Sequence, residues 1–280
     1  MNPQPKWWRI LQKAPWATAL GAFLFACLGG CSPQADADCV LGGQSIEAQV
    51  RHVSDGDSLV LSDGRRVRLI GVNTPELARS GRPAQPLAEE ALRFTRQFLG
   101  DGEIEMIYDK DRRDRYGRIL AHVYNRDGDS LETALLSAGL GFQVAIAPNI
   151  ALAECLSSRE EAARAAGRGV WDEKTWPILN ASDIRPGQGG FVRLRGTVRK
   201  VDRNRYLWLE LDGPVAVRLP LDGDFGQLSG GNWQDRQIEV RGWLIDRGLK
   251  YLSRFPQNKR WLISADTQYT LDISTANSRN

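Results

Sequence analysis

The sequence predicts a mainly β, α+β chain built as two small barrels in tandem, and three observations carry that prediction. Short alternations of apolar and polar residues, broken by Asp-Gly turns, recur through residues 45–124, the pattern of half-buried strands. Helical patterns with glycine stops are set among and after them, and past residue 180 the alternation resumes with no clear helix. The 280 residues, 42% hydrophobic and 25% charged, suffice for one or two cores and exclude a disordered chain.

Lys6, Arg9 and Lys13 precede an apolar run from Trp16 to Leu28, the layout of a signal peptide and too short for a comfortable membrane span. The run ends in Leu28-Gly29-Gly30-Cys31, which resembles the lipobox of bacterial lipoproteins, where the cysteine is acylated and becomes the mature N-terminus. Ser32, rather than Asp, then favours export to the outer membrane. An ordinary signal peptide with a chance cysteine is the alternative. Residues 1–30 are thus expected to be a lipoprotein signal peptide and 31–44 a linker. Their loss takes the formal charge from +3 to 0. Net charge is then −3 over residues 40–175 and +5 over 176–280, so attraction of a polyanion must come from local clusters and the second segment. With Cys27 in the signal and Cys31 lipidated, Cys39 and Cys155 remain as one pair in an oxidising compartment. A disulfide is the economical inference and two buried thiols the alternative. Only His52 and His122 occur, which disfavours zinc.

Strands are expected at Ala48–Val53, Ser58–Leu61 and Arg65–Val72, with turns at Asp55-Gly56 and Asp63-Gly64. Pro86 suits the first turn of a helix through Leu99, with Leu87, Ala91, Phe94 and Phe98 on one face and Gly100 as its stop. Glu103–Tyr108 and Ile119–Tyr124 add strands around a charged loop, and five strands make a small closed barrel. Helices follow at Leu131–Ala138 and Ala151–Ala166, ended by Gly139 and Gly167. Trp176-Pro177 and the Gly/Pro-rich stretch to Gly190 mark a linker, so the expected domains are 45–175 and 189–275 with 176–188 between them. In the second, Phe191–Lys200, Tyr206–Leu211, Val215–Pro220, Gln237–Leu244 and Trp261–Ser264 alternate as strands of another five-stranded barrel.

The chemistry concentrates in Asp55-Gly56-Asp57-Ser58, Arg68-Leu69-Ile70-Gly71-Val72-Asn73-Thr74-Pro75-Glu76 and Asp114-Arg115-Tyr116-Gly117-Arg118-Ile119-Leu120-Ala121. With Gly167-Arg168-Gly169-Val170-Trp171 as a closing segment, these resemble the successive signatures of the staphylococcal nuclease (thermonuclease) family over residues 45–172. The resemblance implies an OB-type five-stranded barrel with three helices, hydrolysis of DNA and RNA phosphodiesters, and Ca²⁺ as cofactor. It implies Asp57, Asn73 and Thr74 as metal ligands, Arg68, Glu76 and Arg118 as catalytic residues, and Arg115 and Tyr116 as nucleotide contacts.

The same residues support this chemistry directly. A carboxylate after a glycine turn suits a hard cation, although Asp-Gly is also the commonest turn dipeptide. Arg68 and Arg118, flanked by Val67/Leu69 and Gly117/Ile119, offer bidentate donors to a phosphoryl transition state. Glu76, aimed by Pro75, fits a general base for water. Two departures stand out. Asn73 takes the place of the family's second metal-binding aspartate, which weakens Ca²⁺ and leaves Mg²⁺ or Mn²⁺ open. Val144-Ala145-Ile146-Ala147 replaces nucleotide-contacting tyrosines. In the second segment, Arg193, Arg195, Arg199, Lys200, Arg203 and Arg205 gather near Tyr206 and Trp208, which suits a single strand in an OB-type groove or a solvated face. Three functions compete: a metal-dependent envelope nuclease with nucleic acid as substrate and membrane as anchor, a decayed nucleic-acid-binding lipoprotein, and a structural lipoprotein for protein contacts. Joint retention of Asp57, Arg68, Glu76 and Arg118 favours the first.

Overall fold

A computed structural model of the chain describes residues 39–79, 81–221, 231–265 and 267–272; the expected signal peptide and Cys31 lie outside the described residues. Strand β1 (Ile46–Asp55) is long enough to serve two neighbours. Its first half pairs with β5 (Glu103–Ile107) and its second, through two register shifts, with β2 (Ser58–Leu61). Such irregularities bend a strand and let a small sheet close. β2 pairs with β3 (Arg66–Leu69), β3 runs parallel to β6 (Ile119–Tyr124), and β6 returns to β5, closing a five-stranded barrel. Val67, Leu69, Ile119, Ala121 and Val123 point into its core, as the alternation requires.

The strand expected over Arg65–Val72 is interrupted. Gly71 adopts φ 85° and turns the chain, so β3 stops at Leu69 and a separate β4 (Val72–Asn73) pairs with β7 (Phe142–Gln143). Three helices pack on the barrel: α1 (Ala88–Leu99), α2 (Leu131–Ser137) and α3 (Ala153–Ala165). The expected face of α1 is corrected. Leu87 precedes the helix in the left-handed region, Phe94 and Phe98 lie half-buried at its flank, and the buried stripe is Ala88, Ala91, Leu92, Thr95 and Leu99. Thr95 is drawn inward because its hydroxyl donates to the Gly56 carbonyl at 2.8 Å. At the N-terminus of α2, Ser130 Oγ accepts the Thr133 N–H. Cys39 and Cys155 form a disulfide, Cα atoms 5.8 Å apart, that ties the segment before β1 to α3.

The second barrel repeats the first barrel's connectivity. β9 (Gly190–Arg203) pairs with β10 (Tyr206–Leu211) and β12 (Gln237–Asp246), β10 pairs with β11 (Val215–Pro220), and β11 runs parallel to β13 (Trp261–Ser264), which pairs with β12. In both barrels the first strand touches the second and fourth while the third lies parallel to the fifth, which is the OB-type arrangement. Short strands β8 (Leu179–Asn180) and β14 (Leu271–Asp272) extend the sheet. A helix the alternation does not reveal, α4 (Gly248–Arg254), links β12 to β13. It buries no residue, so it leaves no apolar stripe in the sequence.

The barrels meet in an aromatic seam. Phe142 packs against Trp171, Trp176 and Phe191 at ring-centroid distances of 5.4, 5.2 and 5.0 Å. Buried Glu160 of α3 accepts from the Gln143 N–H at 2.6 Å and from the Arg241 guanidinium of β12, which also bonds the Tyr269 carbonyl and lies over Trp171. Arg193 covers the same ring and pairs with Glu239 at 2.9 Å, and Arg195 also bonds Glu239. Arg193 and Arg195 are therefore removed from the basic cluster the sequence suggests: Arg193 is buried over Trp171, and Arg195, partly exposed, is paired with Glu239. Among the described residues no helix is long and apolar enough to cross a membrane.

Candidate functional site

The site grows from the turn that ends β1. Gly56 is needed there, since a Cβ would lie 2.8 Å from the Ala91 Cβ and the Thr74 methyl. Its absence lets Asp55-Gly56-Asp57 press against α1 and the Asn73-Thr74 segment. Asp57 is buried. Its Oδ2 accepts the Thr74 N–H at 2.7 Å and lies 3.1 Å from Arg68 Nη2, while Oδ1 accepts from Ser58 Oγ. Arg68 is held on all sides: Nη1 donates to the carbonyls of Leu69 and Val72, and Nη2 to Asn73 Oδ1 at 3.0 Å. Asp57, Arg68, Asn73 and Thr74 thus form one hydrogen-bonded cluster. Its far edge is fixed by the β4–β7 ladder, in which Asn73 faces Phe142 of the seam.

A further carboxylate belongs to this cluster. Asp55 is buried, and its carboxyl is pushed from its ordinary 3.8 up to about 7, first by burial, then by the charge of Asp57 and a hydrogen bond with it, with Glu76 adding to the effect. Its Oδ1 is buried without a hydrogen-bond partner. A neighbouring negative charge disfavours ionisation of Asp55, and a cation placed between the two side chains would relieve that repulsion. The sequence signal was the Asp-Gly-Asp spacing itself, in which Asp55 reads only as half of a turn.

Glu76 is exposed, with its backbone clamped by Gln85: the Glu76 N–H donates to Gln85 Oε1 at 2.7 Å and its carbonyl accepts the Gln85 N–H. Arg118 stands at the start of β6. Since Val67 pairs with Ile119 and Arg68 with Leu120, Arg118 lies diagonally along the ladder from Arg68 on the same outer face. Its Nε donates to Asp114 Oδ2 at 2.6 Å. Burial opposes ionisation of Asp114, but bonds from Arg118 and from the Tyr116 N–H outweigh it and hold the carboxyl below its usual range. Arg115 and Tyr116 sit together on the exposed turn, with guanidinium over ring at 4.9 Å. The structure joins the first four predicted residues directly. It sets Glu76 within electrostatic reach of Asp55, and it leaves Arg118, Arg115 and Tyr116 as a neighbouring arginine–tyrosine group.

Among the described residues no three His, Cys, Asp or Glu side chains converge as a metal-binding group. The donors that do converge are hard oxygens: Asp55 Oδ1 lacks a partner, and Asp57 Oδ1 accepts from the Ser58 hydroxyl. That set fits a hard divalent cation completed by other oxygens. The side-chain oxygen of Asn73 is engaged by Arg68 and keeps a second lone pair.

A closed barrel with buried carboxylates against guanidinium groups on its outer face defines a nuclease of the small-barrel class. The family model described as staphylococcal nuclease homologue matches residues 66–173. The chain is 30% identical over 159 residues to a thermonuclease of Staphylococcus intermedius, covering 56% of this chain and 93% of that protein. It is 32% identical over 126 residues to a thermonuclease of Staphylococcus hyicus (44% and 74%) and 34% identical over 125 residues to the endonuclease YncB of Bacillus subtilis (42% and 58%). The chain belongs to the staphylococcal nuclease family.

Proposed function

We propose that the chain is an envelope-anchored endonuclease that hydrolyses phosphodiester bonds of DNA or RNA with the aid of a divalent cation, Ca²⁺ first among the candidates. The observation that carries this is the Asp55–Asp57–Arg68 cluster: paired buried carboxylates beside a fixed guanidinium, next to an exposed glutamate. Asp57 and Asp55, with Asn73 and the Thr74 segment beside them, would hold the cation, which when bound polarises a phosphoryl oxygen and orients water.

The chain's own residues account for the remaining steps. Glu76 takes the proton of the attacking water as its oxygen bonds to phosphorus; the bond from phosphorus to one sugar oxygen breaks, and that oxygen leaves as a hydroxyl after taking a proton from solvent, while Pro75 with the Gln85 clamp keeps the Glu76 backbone in place. Arg68 and Arg118 donate to the phosphoryl oxygens as negative charge builds on them, Arg118 exchanging its Asp114 partner for substrate. Arg115 and Tyr116 offer a cation and a ring to the adjoining nucleotide. The lipobox-like Leu28–Cys31 supports the anchored location, and mass spectrometry of the mature N-terminus tests it: a terminus beyond Cys31 excludes the anchor.

The deciding experiment is digestion of labelled single- and double-stranded DNA and RNA by residues 32–280 across Ca²⁺, Mg²⁺ and Mn²⁺. Glu76→Gln lowers turnover by about 10²–10⁴ with the fold intact. A wild type that binds nucleic acid yet never cuts it overturns the proposal.

A further inference from the structure

The second barrel carries a groove of about 480 Å³ on the outer face of β9, β10 and β11, closed at one side by the α4 connection. Leu207 and Leu209 point into the barrel core, which turns Tyr206 and Trp208 outward, half-buried and edge to face at 6.4 Å. Tyr251 of α4 lies in the lining opposite, and the buried Ala216 leaves space at the floor. Register sets Arg218 directly across from Trp208, with its guanidinium 4.8 Å over the Tyr206 ring. Arg247 lies over both Trp208 (5.4 Å) and Tyr251 (4.8 Å).

Charge decides what such a groove takes. Lys200 is paired with Glu210 at 3.2 Å. Arg205, Arg247 and Lys259 of the lining, and Arg218 at its edge over Tyr206, form no ion pair among the described residues, and the lining holds a single further acid, Asp202. Four uncompensated cations interleaved with three rings match a polyanion whose repeating unit carries a flat face. The groove also occupies the β2–β3-type face, beside the first-strand and last-strand loops, on which OB-type barrels bind linear polymers.

We propose that this groove binds a single strand of nucleic acid, bases stacking on Tyr206 and Trp208 and phosphates meeting Arg218, Arg247 and Lys259. It extends the nuclease reading, supplying a second hold on substrate remote from the Asp57 cluster, and it relocates the basic cluster seen in the sequence. Lys200 and Arg205 belong to it. Arg193 and Arg195 do not.

The test is fluorescence anisotropy of a labelled oligothymidylate on the full chain in chelator, where binding is scored without cleavage. Trp208→Ala weakens binding about 5- to 150-fold, while Trp208→Phe retains it within about threefold and so separates stacking from misfolding. With three phosphate contacts the wild type shows a slope of log affinity against log salt of about −2, and Arg247→Gln lowers its magnitude by about 0.7. Cleavage of a dinucleotide, too short to span both places, is unchanged in Trp208→Ala; absent cleavage with intact binding counts against the nuclease reading alone. Unchanged oligonucleotide affinity in both Trp208→Ala and Arg247→Gln overturns the proposal, as does tighter binding of an uncharged oligosaccharide than of oligothymidylate.

Discussion

Replacing Arg241 by alanine tests whether the seam between the barrels supports the site. Its guanidinium meets Glu160 and the Tyr269 carbonyl and covers Trp171, all in the interior. Removing one partner of a buried, hydrogen-bonded ion pair costs about 3–5 kcal/mol, because the other charge stays behind without compensation. Burial already pushes the Glu160 carboxyl up, opposed chiefly by Arg241, so its loss pushes the carboxyl higher. An acid whose folded pKa stands above its unfolded one takes up a proton on folding, so stability falls as pH rises between the two. The deficit of Arg241→Ala therefore widens with pH once pH passes the wild type's own raised Glu160 carboxyl, by at most about 1.4 kcal/mol per pH unit. Urea denaturation at pH 5 and pH 8 measures it, and Arg241→Met with Glu160→Gln in one chain recovers most of the loss. Since Glu160 also holds the Gln143 N–H, and Gln143 pairs with Val72 beside Asn73, the single variant lowers kcat more than it raises KM. A deficit below about 1 kcal/mol, equal at both pH values, refutes the reasoning.

Three further outcomes follow from the site and its supports. Asp55→Asn removes a carboxyl that folding raises to about 7, so the Asp55 contribution to stability is fully present below pH ~4 and is lost as pH rises through about 7; the variant's melting profile declines less than the wild type's across that window, and parallel profiles would show that Asp55 does not titrate there. Asn73→Asp tightens Ca²⁺ without being required for cleavage, as isothermal titration beside a digestion assay would show; a wild type inert with every metal and active only as Asn73→Asp marks a decayed site. Cys39→Ser with Cys155→Ser loses the tether across 116 residues, for which loop-closure entropy gives at most about 5 kcal/mol, read as a lower denaturation midpoint in nonreducing conditions.

The strands of both barrels were legible because alternation is local: Leu207, Leu209 and Leu211 declare the inner face of β10 without help from elsewhere. Helix α4 was not, because a helix that buries nothing has no periodicity to show. At the site, Asp57, Arg68, Asn73 and Thr74 were singled out through the resemblance of their two motifs to the family's signatures, and the structure joins them in one hydrogen-bonded cluster. Asp55 was hidden, since only the packing of Gly56 on α1 shows that its side chain is buried rather than solvated in a turn. The seam was illegible for another reason: Arg241 and Glu160 stand 81 residues apart, and nothing near either one announces the other. The basic run before Tyr206 misled in the same way, as Arg193 and Arg195 find Glu239 only once β9 and β12 are paired.

The seam has a mechanical consequence. Domains joined by wet, polar contacts hinge by default, whereas this junction is packed with aromatic rings and laced by Glu160, Arg241, Arg193 and Glu239. The second barrel thereby acts as a buttress: through Phe142 and the β4–β7 ladder it bears on Asn73, and through Asn73 on the Arg68 guanidinium.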